Sequence, residues 1–273
     1  MNSNILKITL LLIITILSML DAAAQSKLEG REVEISNNGI RINKSDDDEK
    51  KPKVHKKIHT KAHFDLGINN VIDETEYADV QNLLLSNGPN SNFSSKDLEL
   101  NTGKSINVNF WPVLMQADLI SHNLQLETGL GFQIFNWRYN AKIVHTDYDG
   151  NPSGENNPYF IDRANDPNLN GKEKNKLGVS YVSVPFMLRI NSNKFDGHRF
   201  SIAAGVIGSY KLKSWTKFYG QKNAGSFGIN DIMTQLTAEI GVSGILKLYG
   251  TYALQPMFEN GLERTPFAIG VRF

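Results

Sequence analysis

From Lys61 to Phe273, large apolar residues recur at every second position in eight separate segments, and Gly, Asn, Asp and Pro punctuate the gaps between them. A period of two sends alternate side chains to opposite faces of an extended chain, so each segment predicts a β-strand with one apolar face. The first alternates Phe64, Leu66 and Ile68 with His63, Asp65, Gly67 and Asn69. In the second, Ile106, Val108 and Phe110 stand against Asn107, Asn109 and Trp111. The third sets Leu124, Leu126, Leu130, Phe132 and Ile134 against Gln125, Glu127, Gly129, Gly131 and Gln133, and the fourth sets Val182, Val184, Phe186, Leu188 and Ile190 against Ser183, Pro185, Met187 and Arg189. Three more follow around Val206, Leu236 and Leu248, and the last places Phe267, Ile269, Val271 and Phe273 opposite Ala268, Gly270 and Arg272.

The bulky face is apolar in every segment, and the opposite face is rich in Gly, Ser, Thr, Gln and charge. A soluble barrel would fill its interior with the bulky set and turn the polar set to water. Here the polar set is also the small set, which suits the narrow interior of an eight-strand ring whose outer wall meets hydrocarbon. The expectation is an all-β, eight-stranded, antiparallel, up-and-down transmembrane barrel over residues 61–273, its lumen filled by side chains. The links at 72–100, 115–122, 139–177, 191–198, 214–230, 243–245 and 256–265 alternate long and short. Outer-membrane barrels have this asymmetry, and an even strand number then puts both termini in the periplasm. Aromatic residues near the strand ends predict two interfacial belts: Trp137, Tyr139, Tyr181, Tyr210 and Trp215 on the side of the long links, Phe110, Trp111, Phe200 and Phe273 on the other. The competing architecture is a soluble, calycin-like binding barrel in the periplasm, with the two faces reversed.

What precedes the strands differs in kind. Residues 1–24 carry Lys7, an apolar stretch from Ile8 to Leu20 and then Ala22, Ala23 and Ala24, the layout of a secretory signal peptide cleaved after Ala24. Residues 25–60 predict a periplasmic charged extension or linker, with one short hairpin around Asn38-Gly39 and then a block of acidic followed by basic residues. After residue 25 no apolar run approaches the about 18 residues that a membrane helix needs, so entry into a membrane requires a closed barrel. The chain has 29 Lys+Arg against 28 Asp+Glu, which leaves no basic footprint for nucleic acid. With no cysteine, disulfides, thiolate metal sites, a Cys nucleophile and lipoprotein processing are all excluded.

The AAAQ processing site, the Gly-punctuated strands LETGLGFQIF, FSIAAGVIGSY and AEIGVSGILKLYGTYAL, and the terminal PFAIGVRF resemble the small outer-membrane barrels of gram-negative bacteria, above all the PorT-like barrels of Bacteroidota. The resemblance spans residues 61–273 and implies an outer-membrane location, a link to protein secretion in some relatives, and no shared catalytic residues. Phe267, Ile269, Val271 and Phe273 look like the C-terminal signal read by the barrel-assembly machinery. Outer-membrane lipid, that machinery and an envelope protein are the expected partners, and no cofactor is expected.

Chemistry-bearing residues fall in four groups. Asp65, Glu127, Arg189, Glu239, Lys247 and Arg272 share the polar face, and strand direction gathers all six in the periplasmic half of the lumen, where enclosed charges must pair. Asp166, Asn168 and Asn170 with Gly171 match the first half of a calcium loop, but the twelfth position is Leu177 in place of the bidentate Glu, so an ordinary turn is the simpler expectation. His55, His59 and His63 would align for a metal on a helix, yet they lie in a lysine-rich segment that favours a basic tether. His145 and Asp147 fall in a long link where lipid-modifying barrels carry catalytic groups. No G-x-S-x-G elbow accompanies them, and His122 and His198 fall in short turns. A non-enzymatic scaffold or interaction protein is therefore expected, with the 139–177 link as its contact surface.

Overall fold

A computed structural model describes residues 58–85, 92–120, 123–147, 156–163, 174–192, 199–242 and 246–273, together with the backbone of 31–36 and 39–44. The predicted signal peptide, most of the charged extension, His55, His122, His198 and the 164–173 stretch with the calcium-loop residues lie outside the described residues. Two units are distinguished, Met1–Ile58 and His59–Phe273. In the first, β1 (Arg31–Ser36) and β2 (Gly39–Lys44) pair antiparallel with Ser36 opposite Gly39, so Gly39 already belongs to the second strand of the expected hairpin.

The barrel begins with β3 (Ile58–Asp73), β4 (Ile106–Ile120) and β5 (Leu124–Arg138). Inside the next connection, β6 (Ile143–Thr146) and β7 (Tyr159–Asp162) make a hairpin of their own. The wall resumes with β8 (Lys176–Asn191) and β9 (Phe200–Phe218), which β10 (Gln221–Ala224) extends beyond the rim. It ends with β11 (Ile232–Val242), β12 (Leu246–Ala253) and β13 (Arg264–Arg272). Eight of these strands close in the order β9-β11-β12-β13-β3-β4-β5-β8, and β8 returns to β9. Closure leaves the wall no open edge, so its backbone groups pair from strand to strand without water. Connections 121–123, 192–199 and 243–245 lie at the end where β3 starts and β13 finishes, here the terminal end; the longer 74–105, 139–175, 219–231 and 254–263 lie at the loop end. Among the described residues no helix is long and apolar enough to cross a membrane.

The outward wall is the apolar set. Leu130 is 45% exposed and Val206 40%, while Gln133 on the opposite face is 0%. This orientation belongs to a transmembrane barrel and is the reverse of a calycin-like one.

Three particulars differ from expectation. The second strand runs on to Ile120 and carries a β-bulge between Phe110 and Val113. Pro112 sits there, where a missing N–H costs no ladder bond. Past the bulge the parity inverts, so Leu114, Gln116 and Asp118 turn inward while Val113 and Leu119 face out. The aromatic belts are thinner than predicted. Phe110, Phe200, Tyr210 and Phe273 are exposed on the wall, but Trp111, Trp137, Tyr139 and Tyr181 are buried. Finally, the six predicted charges occupy only the terminal half of the lumen. Toward the loop end Phe135, Trp137, Leu177, Val179 and Tyr181 point inward and form an apolar core continuous with loop residues such as Leu83, Phe93, Phe160 and Phe258.

Replacing Leu130 or Val206 by Arg, near mid-wall, should destabilise the barrel by about 2–4 kcal/mol in urea titrations in bilayers. Gln133→Arg should act instead through packing, because Gln133 Oε1 accepts hydrogen bonds from Ser183 and Ser209 at 2.9 and 3.0 Å. Equal tolerance at the three positions would contradict the facing assignment.

Candidate functional site

The wall register creates an ionic layer across the terminal half. Asp65 on β3 stands opposite Arg272 on β13, and Arg272 opposite Lys247 on β12. Glu239 on β11 and Arg189 on β8 each stand opposite Ala203 on β9, whose methyl leaves space for the two long side chains to meet over it.

Arg272 grips Asp65 with two parallel bonds, Nε to Oδ1 at 2.7 Å and Nη2 to Oδ2 at 2.8 Å, and its Nη1 reaches Glu239 Oε2 at 2.6 Å. Glu239 Oε1 accepts from Arg189 Nη1 at 2.6 Å and from Lys247 Nζ at 2.9 Å. Arg189 Nη2 donates to Glu127 Oε2 at 2.8 Å. The structure therefore brings all six predicted charges into one buried cluster, three carboxylates against three cations. Forked arginine contacts are the strong, direction-specific kind, which suits a layer with no bulk water to adjust it.

An uncharged collar completes the layer. Trp111 Nε1 donates to Asp65 Oδ2 at 2.8 Å, Gln116 Nε2 donates to Glu127, and Tyr249 Oη donates to Asn107 Oδ1 at 2.7 Å. The Trp111 indole lies against Gly131, where any Cβ would collide with it. These partners were absent from the candidate set, although Trp111, Asn107 and Tyr249 carried the inward parity that could have found them. Gln116 lay beyond the unrecognised bulge, where parity misled.

At the loop end the lumen is closed by packing. Phe135 and Trp137 stack with ring centroids 5.4 Å apart, and Tyr181 meets Phe135 edge-on. The connections fold over this core as a cap. Leu85 N donates to Phe160 O at 2.7 Å, Asn101 N to Arg138 O at 2.7 Å, and Glu259 N to Gly228 O at 2.8 Å. Arg264 enters the cap from β13, with Nη2 on Leu98 O at 2.8 Å and Nε beside Asp73 at 3.2 Å.

His145 is enclosed in this cap by Phe160, Phe227 and Phe258. Its Nε2 shares a hydrogen bond of 3.0 Å with Tyr139 Oη. Burial, with Arg264 nearby, pushes the imidazole down to about 3, and burial pushes the Tyr139 phenol up to about 12. Asp147 turns away from His145 and accepts the Phe227 N–H at 2.9 Å. The two residues suggested for catalysis thus serve separate parts of the cap. His59 and His63 lie on strand β3, where a spacing of four residues separates their Cα atoms by roughly 13 Å, too far for a shared metal. Among the described residues no group of three His, Asp or Glu is gathered to hold a metal. At the seam, Phe273 pairs with Phe64 through both backbone groups, at 2.9 and 3.3 Å.

Residues 61–259 match a family model described as an outer membrane protein beta-barrel domain. No curated protein matches the chain.

Glu239→Gln should be the most damaging conservative change in the layer. It removes the carboxylate that meets Arg189, Lys247 and Arg272, and leaving buried charge uncompensated costs about 3–5 kcal/mol. A heat-modifiability gel and urea titration would register the loss, whereas unchanged stability would contradict a coupled layer. The cap should also respond to acid. His145 is held below its unfolded value of about 6.5, so above that pH its contribution is complete, and it is lost as pH falls toward about 3 because the unfolded state binds the proton first. Between about pH 7 and about pH 5 the cap should lose roughly 2 kcal/mol, read as faster amide exchange in β6 and β7. His145→Phe should flatten that dependence.

Proposed function

This chain belongs to the outer membrane protein β-barrel domain family, and from that premise we propose that it is a closed, non-conducting, non-enzymatic barrel that anchors a folded cap in the outer membrane. The observation that carries this reading is the double closure of the lumen, by paired charge in the terminal half and by aromatic packing in the loop half. A channel needs a continuous wet path, and an eight-strand ring has room for side chains or for water but not both. Short turns at one end and long connections at the other favour both termini in the periplasm and the cap outside. On this reading residues 1–24 direct export, 25–60 form a periplasmic extension, and Phe267, Ile269, Val271 and Phe273 guide insertion by the barrel-assembly machinery.

A cap held by its own core and backbone bonds presents a defined surface to an envelope protein partner, and loops placed on a rigid scaffold are where such contacts concentrate. A PorT-like accessory role in secretion is the narrower form of this function. Lipid-modifying catalysis has less support, since the cap histidine is enclosed by phenylalanines and its suggested acid partner is engaged elsewhere.

The purified barrel in planar bilayers should show no conductance steps on the nanosiemens scale. Steady steps of that size would overturn the proposal.

A further inference from the structure

The lumen charges pair with one another; at the loop end of the outer wall, cations stand opposite cations. Arg138 on β5 stands opposite Lys176 on β8, Lys176 opposite Lys217 on β9, and Lys217 opposite Lys222 on β10. Their chain neighbours Trp137, Leu177 and Thr216 are buried, so Arg138, Lys176 and Lys217 carry the outward parity. Like charges set directly opposite on adjacent strands destabilise a sheet. Among the described residues none of Lys176, Lys217 and Lys222 has a carboxylate within ion-pair distance. Two of them contact neutral groups: Lys176 Nζ donates to Asn136 Oδ1 at 3.1 Å, and Lys222 Nζ lies 4.5 Å from the centre of the Trp215 ring.

Beside this row, Lys104 and Lys174 join Arg138, Lys176 and Lys217 around a cleft of about 680 Å³. Its lower lip is Ile106 and Val108, which belong to the apolar outer face of β4 and lead directly onto the hydrocarbon wall. The cleft thus straddles the boundary between the apolar belt and the polar rim. A soluble anion would have no use for the apolar lip, and a protein segment would meet lipid there. Strands are about 4.8 Å apart, so the row from Arg138 to Lys222 spans roughly 14 Å, more than one phosphate can cover.

We propose that this cleft binds the headgroup of a membrane glycolipid bearing two phosphates on a sugar core, with its acyl chains lying along the wall below Ile106 and Val108. The assignment to the outer leaflet rests on the topology proposed above. The site would give the barrel a fixed lipid partner at its rim and offset the repulsion built into the row.

The test is native mass spectrometry of the detergent-purified full chain with bisphosphorylated lipid A, its dephosphorylated form and inorganic phosphate. The bisphosphorylated lipid should bind and the other two should not. Lys176→Gln/Lys217→Gln should weaken binding at least about tenfold, the scale of losing a charge-assisted contact, while a heat-modifiability gel shows the variant folded. Lys61→Gln, at the terminal end, should bind as the parent does. Equal binding by the double variant, or equal binding of the dephosphorylated lipid, would overturn the headgroup site. Orientation is read separately in the cysteine-free chain, by labelling Asn260→Cys and Ser192→Cys on intact cells with an impermeant maleimide. Labelling of Asn260→Cys alone supports the outer leaflet; labelling of Ser192→Cys alone would overturn the topology and the leaflet assignment, whatever the binding result.

Discussion

The controlling constraint is the width of the ring. Eight strands enclose a lumen just wide enough for side chains, so an inward charge must be neutralised by another inward charge. Asp65, Glu127 and Glu239 against Arg189, Lys247 and Arg272 meet that condition by stoichiometry as well as by geometry. The small residues follow from the same width. Ala203 stands between Glu239 and Arg189, and Gly131 lies beneath the Trp111 indole; a larger residue at either would push apart groups that have no water to fall back on.

The wall faces two different surroundings along its length. On the outside, hydrocarbon asks only for apolar side chains, and Leu130, Phe186, Val206, Leu236 and Ile269 supply them with half their surface uncovered. On the inside, the terminal half is organised by direction-specific ionic bonds and the loop half by close packing of rings. The two interiors call for different residues, so inward positions change character midway along a strand: β5 carries Glu127 and Gln133 inward first, then Phe135 and Trp137.

That change explains what the sequence disclosed and what it hid. Strands, their number, the facing of the wall and the grouping of six charges were legible, because period-two alternation is strong wherever one face is apolar and the other polar. The signal fades where both faces are apolar. Trp137, Tyr139 and Tyr181 read as interfacial aromatics when they belong to the core, where Phe135 on β5 and Leu177 and Val179 on β8 join them. The bulge after Phe110 was equally hidden, since one added residue leaves composition untouched yet inverts every facing beyond it. Cap contacts such as Asp147 with Phe227 join residues 80 positions apart and leave no periodic trace.

The ionic layer also bears on how the ring closes. Asp65 lies on the first barrel strand and Arg272 on the last, so their forked pair forms only when β13 meets β3. Until then Glu239 can hold Arg272, Lys247 and Arg189, but on β5 to β13 the two carboxylates Glu127 and Glu239 face three cations, and Asp65, which balances them, waits on the far edge of the sheet. Sealing the seam therefore neutralises the layer in the same step that pairs Phe64 with Phe273. An open sheet entering hydrocarbon would leave edge backbone groups and the Asp65 carboxylate without their partners together, and closure removes both penalties at once. The arrangement makes partial closure unfavourable on two independent counts, which is a physical reason for the first and last strands to carry opposite charges at one level of the wall.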